Sequence, residues 1–150
     1  MTRSDENGIS GLEKGTIREK HRGDLRNRVR IGNESGADIF VSIHLNKIPQ
    51  KQYSGWQAFF KEGNESSTLL AKSIQAGIGQ SIGQESKRQA AKIKGIYIVN
   101  HVTIPITIVE CGFLSNYEET KLLLTEEYQE KLARGIYLGI VEYFRNIDAE

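Results

Sequence analysis

Two largely apolar runs in this sequence each end in a residue able to do chemistry. Ile39-Phe40-Val41-Ser42-Ile43-His44-Leu45-Asn46 delivers a histidine with an asparagine close behind it, and Ile106-Thr107-Ile108-Val109-Glu110-Cys111-Gly112-Phe113 delivers a carboxylate followed by a cysteine. A neutral imidazole at a strand end suits zinc, and the same ring serves as a hydrogen-bonded residue at a sheet edge; spacing alone leaves both readings open. The apolar approach to Glu110 predicts partial burial and a raised pKa, which suits general acid/base work. An ion-paired glutamate is the equal alternative. Cys111 points to the opposite face of its strand from Glu110 and reads as a small core residue. His21, inside Arg18-Glu19-Lys20-His21-Arg22, reads as part of a solvated face, and His101, before Pro105, as structural. The Lys87-Arg88 and Lys92-Lys94 cluster reads as a solvated face or as the lining of a groove for an anionic glycan peptide. The series Arg22, Arg26, Arg28 and Arg30 invites the same two readings, with solvation the default for most of it.

These residues need elements to position them. The β-branched and aromatic content of 39–46 predicts a buried, central strand covered on both faces. Its histidine then lies at the C-terminal end, where open α/β sheets place their chemistry. A helix is predicted over 23–34 from Leu25 and Val29, and a strand over 55–60 from its aromatic content. Leu70, Ile74, Ile78 and Ile82 recur every fourth residue and predict a helix over 67–82. Within it, Gly77 and Gly79 each weaken the helix by about 1 kcal/mol relative to Ala. Residues 85–94 read as a loop and 96–99 as a short strand. Ser115 and Glu118 have capping-box spacing ahead of a helix. Leu132, Ile136, Ile140 and Phe144 predict a final helix over 126–145. Alternating strands and helices imply an α/β domain, with a mixed, mostly parallel twisted sheet flanked by helices in a single layered domain.

Composition narrows the function classes. The chain has 150 residues, enough for one domain with a core, and a net charge of +1. That near-neutral charge and the absence of a binding motif argue against a nucleic-acid partner. No apolar run approaches the roughly 18 residues of a transmembrane span. The polar start carries no apolar signal segment, so the chain as written is expected in the cytoplasm. A single cysteine excludes an internal disulfide and any multi-cysteine metal site.

Taken together, these stretches resemble the amidase-3 family of zinc N-acetylmuramoyl-L-alanine amidases. The resemblance rests on Ser42-Ile43-His44-Leu45-Asn46, on Val109-Glu110-Cys111-Gly112-Phe113-Leu114-Ser115-Asn116, and on their order. Leu25-Arg26-Asn27-Arg28-Val29, Ile48-Pro49, Gly95-Ile96-Tyr97 and Val102-Thr103-Ile104-Pro105 look like the germination-specific branch that acts on the spore cortex. The resemblance implies a peptidoglycan hydrolase working outside the cytoplasm, in the cell wall or forespore envelope. His44 looks like a zinc ligand and Glu110 like the catalytic glutamate. Water on zinc would attack the carbonyl joining the muramic acid lactyl group to L-alanine. Glu110 would pass the water proton to the leaving nitrogen.

The resemblance also implies a departure. The family begins with a strand ending in an Asp-Pro-Gly-His-Gly-Gly type motif, followed by a helical region carrying a glutamate ligand, and neither is found here. Met1-Thr2-Arg3 looks like an internal stretch. Residues 1–20 are therefore expected to be a polar loop or tail. Residues 21–146 are expected to be the C-terminal part of an amidase-3 catalytic domain lacking its N-terminal strand-helix-strand. With only His44 identified as a ligand, weak or absent zinc binding, little activity alone and marginal stability or association are expected, with unpaired strand edges and exposed apolar surface. The alternatives are an inactive remnant or non-catalytic peptidoglycan-binding fragment, and one part of a split enzyme. The partners expected are a peptidoglycan glycan peptide and either a second copy or a complementing N-terminal polypeptide.

Overall fold

The computed structural model describes residues 1–2, 8–11 and 14–149. Its first helix, α1 (Ile17–Glu34), starts at Thr16, whose side chain accepts from the Glu19 backbone N–H while the Glu19 carboxylate accepts from the Thr16 backbone. This reciprocal cap satisfies donors that a first helical turn leaves open. The polar start expected over 1–20 therefore gives way to helix at Ile17, ahead of the start expected at 23. The apolar stripe of α1, Leu25 and Val29, begins well inside the helix, so periodicity hides its true start.

Strands β1 (Phe40–Asn46), β2 (Gln57–Lys61), β3 (Ala91–Ile93) and β4 (Ile106–Phe113) form one sheet in the order β1-β4-β2-β3. β1 runs parallel to β4 and β2 parallel to β3, while β2 and β4 are antiparallel. The sheet is thus mixed and mostly parallel, as expected. Two features of the strands differ from expectation. β1 lies at an edge among the described residues, with Ile43 61% and Leu45 48% exposed, so it is not a central strand covered on both faces. Its apolar sequence describes what one face packs against and does not report how many neighbours it has. β3 lies within the stretch read as a loop, because three residues paired to one neighbour leave no periodic signal.

Helices α2 (Glu65–Ile82), α3 (Tyr97–His101), α4 (Tyr117–Leu123) and α5 (Glu126–Ile147) complete the domain. The stretch expected as a strand at 96–99 is α3. Ile98 and Val99 are buried side by side while Ile96 and Tyr97 are 39% and 37% exposed, a helical distribution. A four-residue apolar run cannot distinguish helix from strand by itself. The cap of α4 is Asn116, which accepts from the Glu119 N–H; the Ser115 hydroxyl accepts instead from the Ile48 N–H.

Helices cover both faces of the sheet. On one face, Val109 and Cys111 of β4 pack with Leu70, Ile74 and Ile78 of α2 and Leu132, Ile136 and Tyr143 of α5. On the other, Ile106 and Ile108 pack with Val99, with Phe40 and with Leu25 and Val29 of α1. The alternation that buries Ile106 and Ile108 on this second face carries Glu110 onto the same face, beyond the cover of α1 and α3.

Candidate functional site

Parallel pairing sets His44 of β1 directly across from Glu110 of β4, and antiparallel pairing sets Gln57 of β2 across from Glu110 on its other side. All three residues sit at the C-terminal end of β1 and β4 because the hydrogen-bond register puts them there. Beyond His44 the register shifts, so that Asn46 pairs with Phe113. Strand alternation places His44 and Asn46 on one face, and the bulge therefore brings Phe113 onto the Glu110 face and sends Cys111 and Gly112 to the other. Consistent with this, a side chain at Gly112 would meet Glu119 and Leu123 of α4.

The electrostatics of the pair favour a neutral histidine and a reluctant carboxylate. Much of His44 is open to solvent, yet partial enclosure of the ring, with the Arg28 guanidinium nearby, holds its imidazole below the ordinary value. Its Nε2 is hydrogen-bonded to Ser42 Oγ at 2.8 Å. Burial pushes the Glu110 carboxyl above its ordinary range, and its Oε2 is buried without a hydrogen-bond partner among the described residues. Such an atom costs free energy unless something else satisfies it. Ion pairing, the alternative for Glu110, is not what its oxygen does among the described residues. On the opposite face, burial pushes the Cys111 thiol up to about 12, consistent with its reading as a core residue.

His44 lines a cleft of about 710 Å³ bounded by α1 and β1, which also takes in His21, Asp24, Arg28 and Thr2. Arg28 borders this cleft, and the sequence reading did not single it out from its series. Arg22, Arg26 and Arg30 are exposed, but Arg28 is partly buried, paired with Asp24 at 2.5 Å and bonded to Thr2 Oγ1 at 2.9 Å. The Asp24–Arg28 spacing of one helical turn was the available signal. His21 shares the cleft as an exposed residue. His101 is exposed too; its ring stacks on Tyr97 at 4.0 Å and its Nδ1 is bonded to the Tyr97 carbonyl, outside that cleft. A cleft of about 760 Å³ between α2 and the loop that follows it, which Arg88 also lines, contains no histidine or cysteine among the described residues.

These donors can be tested against zinc. A neutral imidazole and a carboxylate oxygen without a partner both suit a divalent cation. Among the described residues, however, no group of three or more His, Cys, Asp and Glu side chains is placed to hold a metal ion. A catalytic zinc takes three protein ligands and an open position. His44 fits as one member of such a set, and the described residues do not make the whole set.

Comparison with known proteins follows the same lines. The chain is 40% identical over 145 residues to the germination-specific N-acetylmuramoyl-L-alanine amidase of Bacillus subtilis, a match covering 96% of this chain and 60% of that protein. It is 27% identical to the B. subtilis N-acetylmuramoyl-L-alanine amidase LytC, over 81% of this chain and 24% of the relative. Among solved structures, the CwlD amidase from Clostridioides difficile, determined in complex with the GerS lipoprotein, superposes with a TM-score of 0.91 at 39% identity, covering 96% of this chain and 74% of that one. An N-acetylmuramoyl-L-alanine amidase from Clostridium difficile 630 gives a TM-score of 0.75 at 28% identity, over 81% of this chain and 65% of that one. The chain thus spans about 60% of the length of the B. subtilis germination-specific relative. Residues 1–142 match the N-acetylmuramoyl-L-alanine amidase profile, and the chain belongs to the Amidase_3 family.

Proposed function

We propose that this chain carries N-acetylmuramoyl-L-alanine amidase chemistry, hydrolysing the amide between the lactyl group of muramic acid and L-alanine in peptidoglycan. The observation that carries the reading is Glu110, a carboxylate with a buried unpartnered oxygen, set across the sheet from His44 in a chain of this family. The likeness to a relative named germination-specific points to the spore cortex as the site of action, outside the cytoplasm. Glu110 takes the proton of the attacking water and delivers it to the leaving nitrogen, which an amide requires because its anion is a very poor leaving group. The raised pKa suits both halves of that task, since the group must gain and lose a proton near neutral pH.

His44 serves as one zinc ligand, and the described residues supply no complete set. The chain by itself then holds zinc weakly and turns over slowly. A second reading, a non-catalytic peptidoglycan-binding fragment, is favoured by the incomplete ligand set. Calorimetric titration with zinc tests the ligand assignment. His44→Ala is expected to weaken the remaining zinc binding about tenfold or more. One tight zinc per chain, unchanged in His44→Ala, would place the metal elsewhere and overturn the assignment.

A further inference from the structure

The loop before β3 holds a cation in an unusual setting. The Arg88 guanidinium lies over the Phe113 ring, 4.5 Å from its centroid, and over the Tyr53 ring at 5.2 Å. Its Nη1 is buried and has no hydrogen-bond partner among the described residues. The rest of the basic cluster is engaged or solvated: Lys92 and Lys94 both pair with Glu62, and Lys87 is exposed. Aromatic rings satisfy the faces of a guanidinium and leave its in-plane N–H donors unspent.

The segment is pinned in place by backbone contacts. Ser86 Oγ accepts from the Arg88 N–H at 3.1 Å and donates to the Trp56 carbonyl at 3.0 Å. Gln75 Nε2 donates to the Arg88 carbonyl at 2.9 Å, and Gln57 Nε2 donates to the Gln89 carbonyl at 3.0 Å. Gln57 is the residue paired with Glu110, so these bonds hold Arg88 at the same end of the sheet as the catalytic carboxylate. Phe113, on whose ring Arg88 stacks, lies three residues along β4 from Glu110. That interval is roughly 7–10 Å, or about two to three residues of extended peptide.

We propose that Arg88 is the residue of this site that binds a carboxylate on the peptide arm of the substrate, close behind the alanine. The proposal rests on the amidase reading for its ligand. A planar carboxylate matches the in-plane donors of a guanidinium and would satisfy the orphaned Nη1. Preorganisation by the two rings and the pinned backbone lowers the ordering cost of binding.

The test is calorimetric binding of two soluble muramoyl-L-alanyl peptides, one with a free carboxylate on the residue after alanine and one with that carboxylate amidated. The chain is expected to prefer the acid by about tenfold or more. Arg88→Met should abolish the preference, while Arg88→Lys, which keeps the charge but loses the planar fork, should keep a small part of it. Equal binding of both peptides by the unsubstituted chain, or binding of neither, overturns the proposal without recourse to any variant. A preference that survives in Arg88→Met overturns it as well. Failure of the amidase reading is distinguishable, because it shows as absent turnover while the acid preference persists.

Discussion

Two backbone N–H groups, those of Gly55 and Phe113, donate to the carboxylate of Glu119, a side chain only 5% exposed. The same residue's backbone N–H is held by the Asn116 cap. Glu119 therefore ties together the entry to β2, the end of β4 beyond its bulge, and the first turn of α4, and so fixes the frame in which Gln57 and Glu110 face each other. Removing the carboxylate strands two donors in a poorly solvated place, at about 1–3 kcal/mol each. Glu119→Ala is expected to cost about 3 kcal/mol in urea unfolding; a loss below about 1 kcal/mol would mean that water reaches both donors. At this scale the positions of His44 and Glu110 at the strand ends were legible in the sequence, because each closes an apolar run and the strand alternation is readable. The sequence was uninformative about Arg28 and Arg88. Each lies in a run of similar charges, and which member is drawn inward depends on partners distant in sequence or on the turn of a helix.

Helix pairing carries most of the load at the next scale. α2 and α5 approach so closely that a Cβ on Gly139 would sit 2.6 Å from the Ser73 carbonyl oxygen, and one on Gly77 2.6 Å from the Gly139 nitrogen. Gly77, which weakens α2 as an isolated helix, is what permits this contact. Gly139→Ala is expected to lower stability by about 1–3 kcal/mol in chemical denaturation while leaving the far-ultraviolet spectrum helical. A neutral or stabilising outcome would show that the helices can separate without loss. The short strand β3 is secured differently, by Lys92 and Lys94 closing on Glu62 at 2.7 Å and 2.6 Å. These cations hold the Glu62 carboxyl at about 2, below its ordinary 4.5. A depressed carboxyl pKa contributes stability above the unfolded value and loses it as pH falls through the folded one. The contribution of Glu62 is therefore present above about pH 4.5 and disappears toward pH 2, and salt screens it throughout. Thermal melts of Glu62→Gln should differ slightly from those of the unsubstituted chain at pH 7 and converge with them near pH 2; a gap that widens in acid would contradict this sign. The long helices α2 and α5 were legible from their four-residue repeats. α3 and β3 were not, since each is too short for its periodicity to outweigh its neighbours.

Across the whole molecule the sheet divides structure from chemistry. One face, under α2 and α5, is a closed apolar core; the other is covered by α1 and α3 only as far as Ile108, leaving the end of β1 open around His44 with Glu110 partly buried beside it. The layered α/β class was readable from the order of elements. The edge position of β1 among the described residues was not, because an apolar strand looks alike with one neighbour or two, and only the strand order decides it. Family membership is shown over residues 1–142, and the assignment of Glu110 as the proton carrier is the claim on which the functional reading turns. It is tested most directly by measuring the alanine amine released from a soluble muramoyl-L-alanyl peptide, with zinc in excess, by the chain and by Glu110→Gln. The expected result is slow, zinc-dependent release that falls about a hundredfold or more in the variant. Release that is equal in the variant, or no release from the unsubstituted chain, would contradict the account.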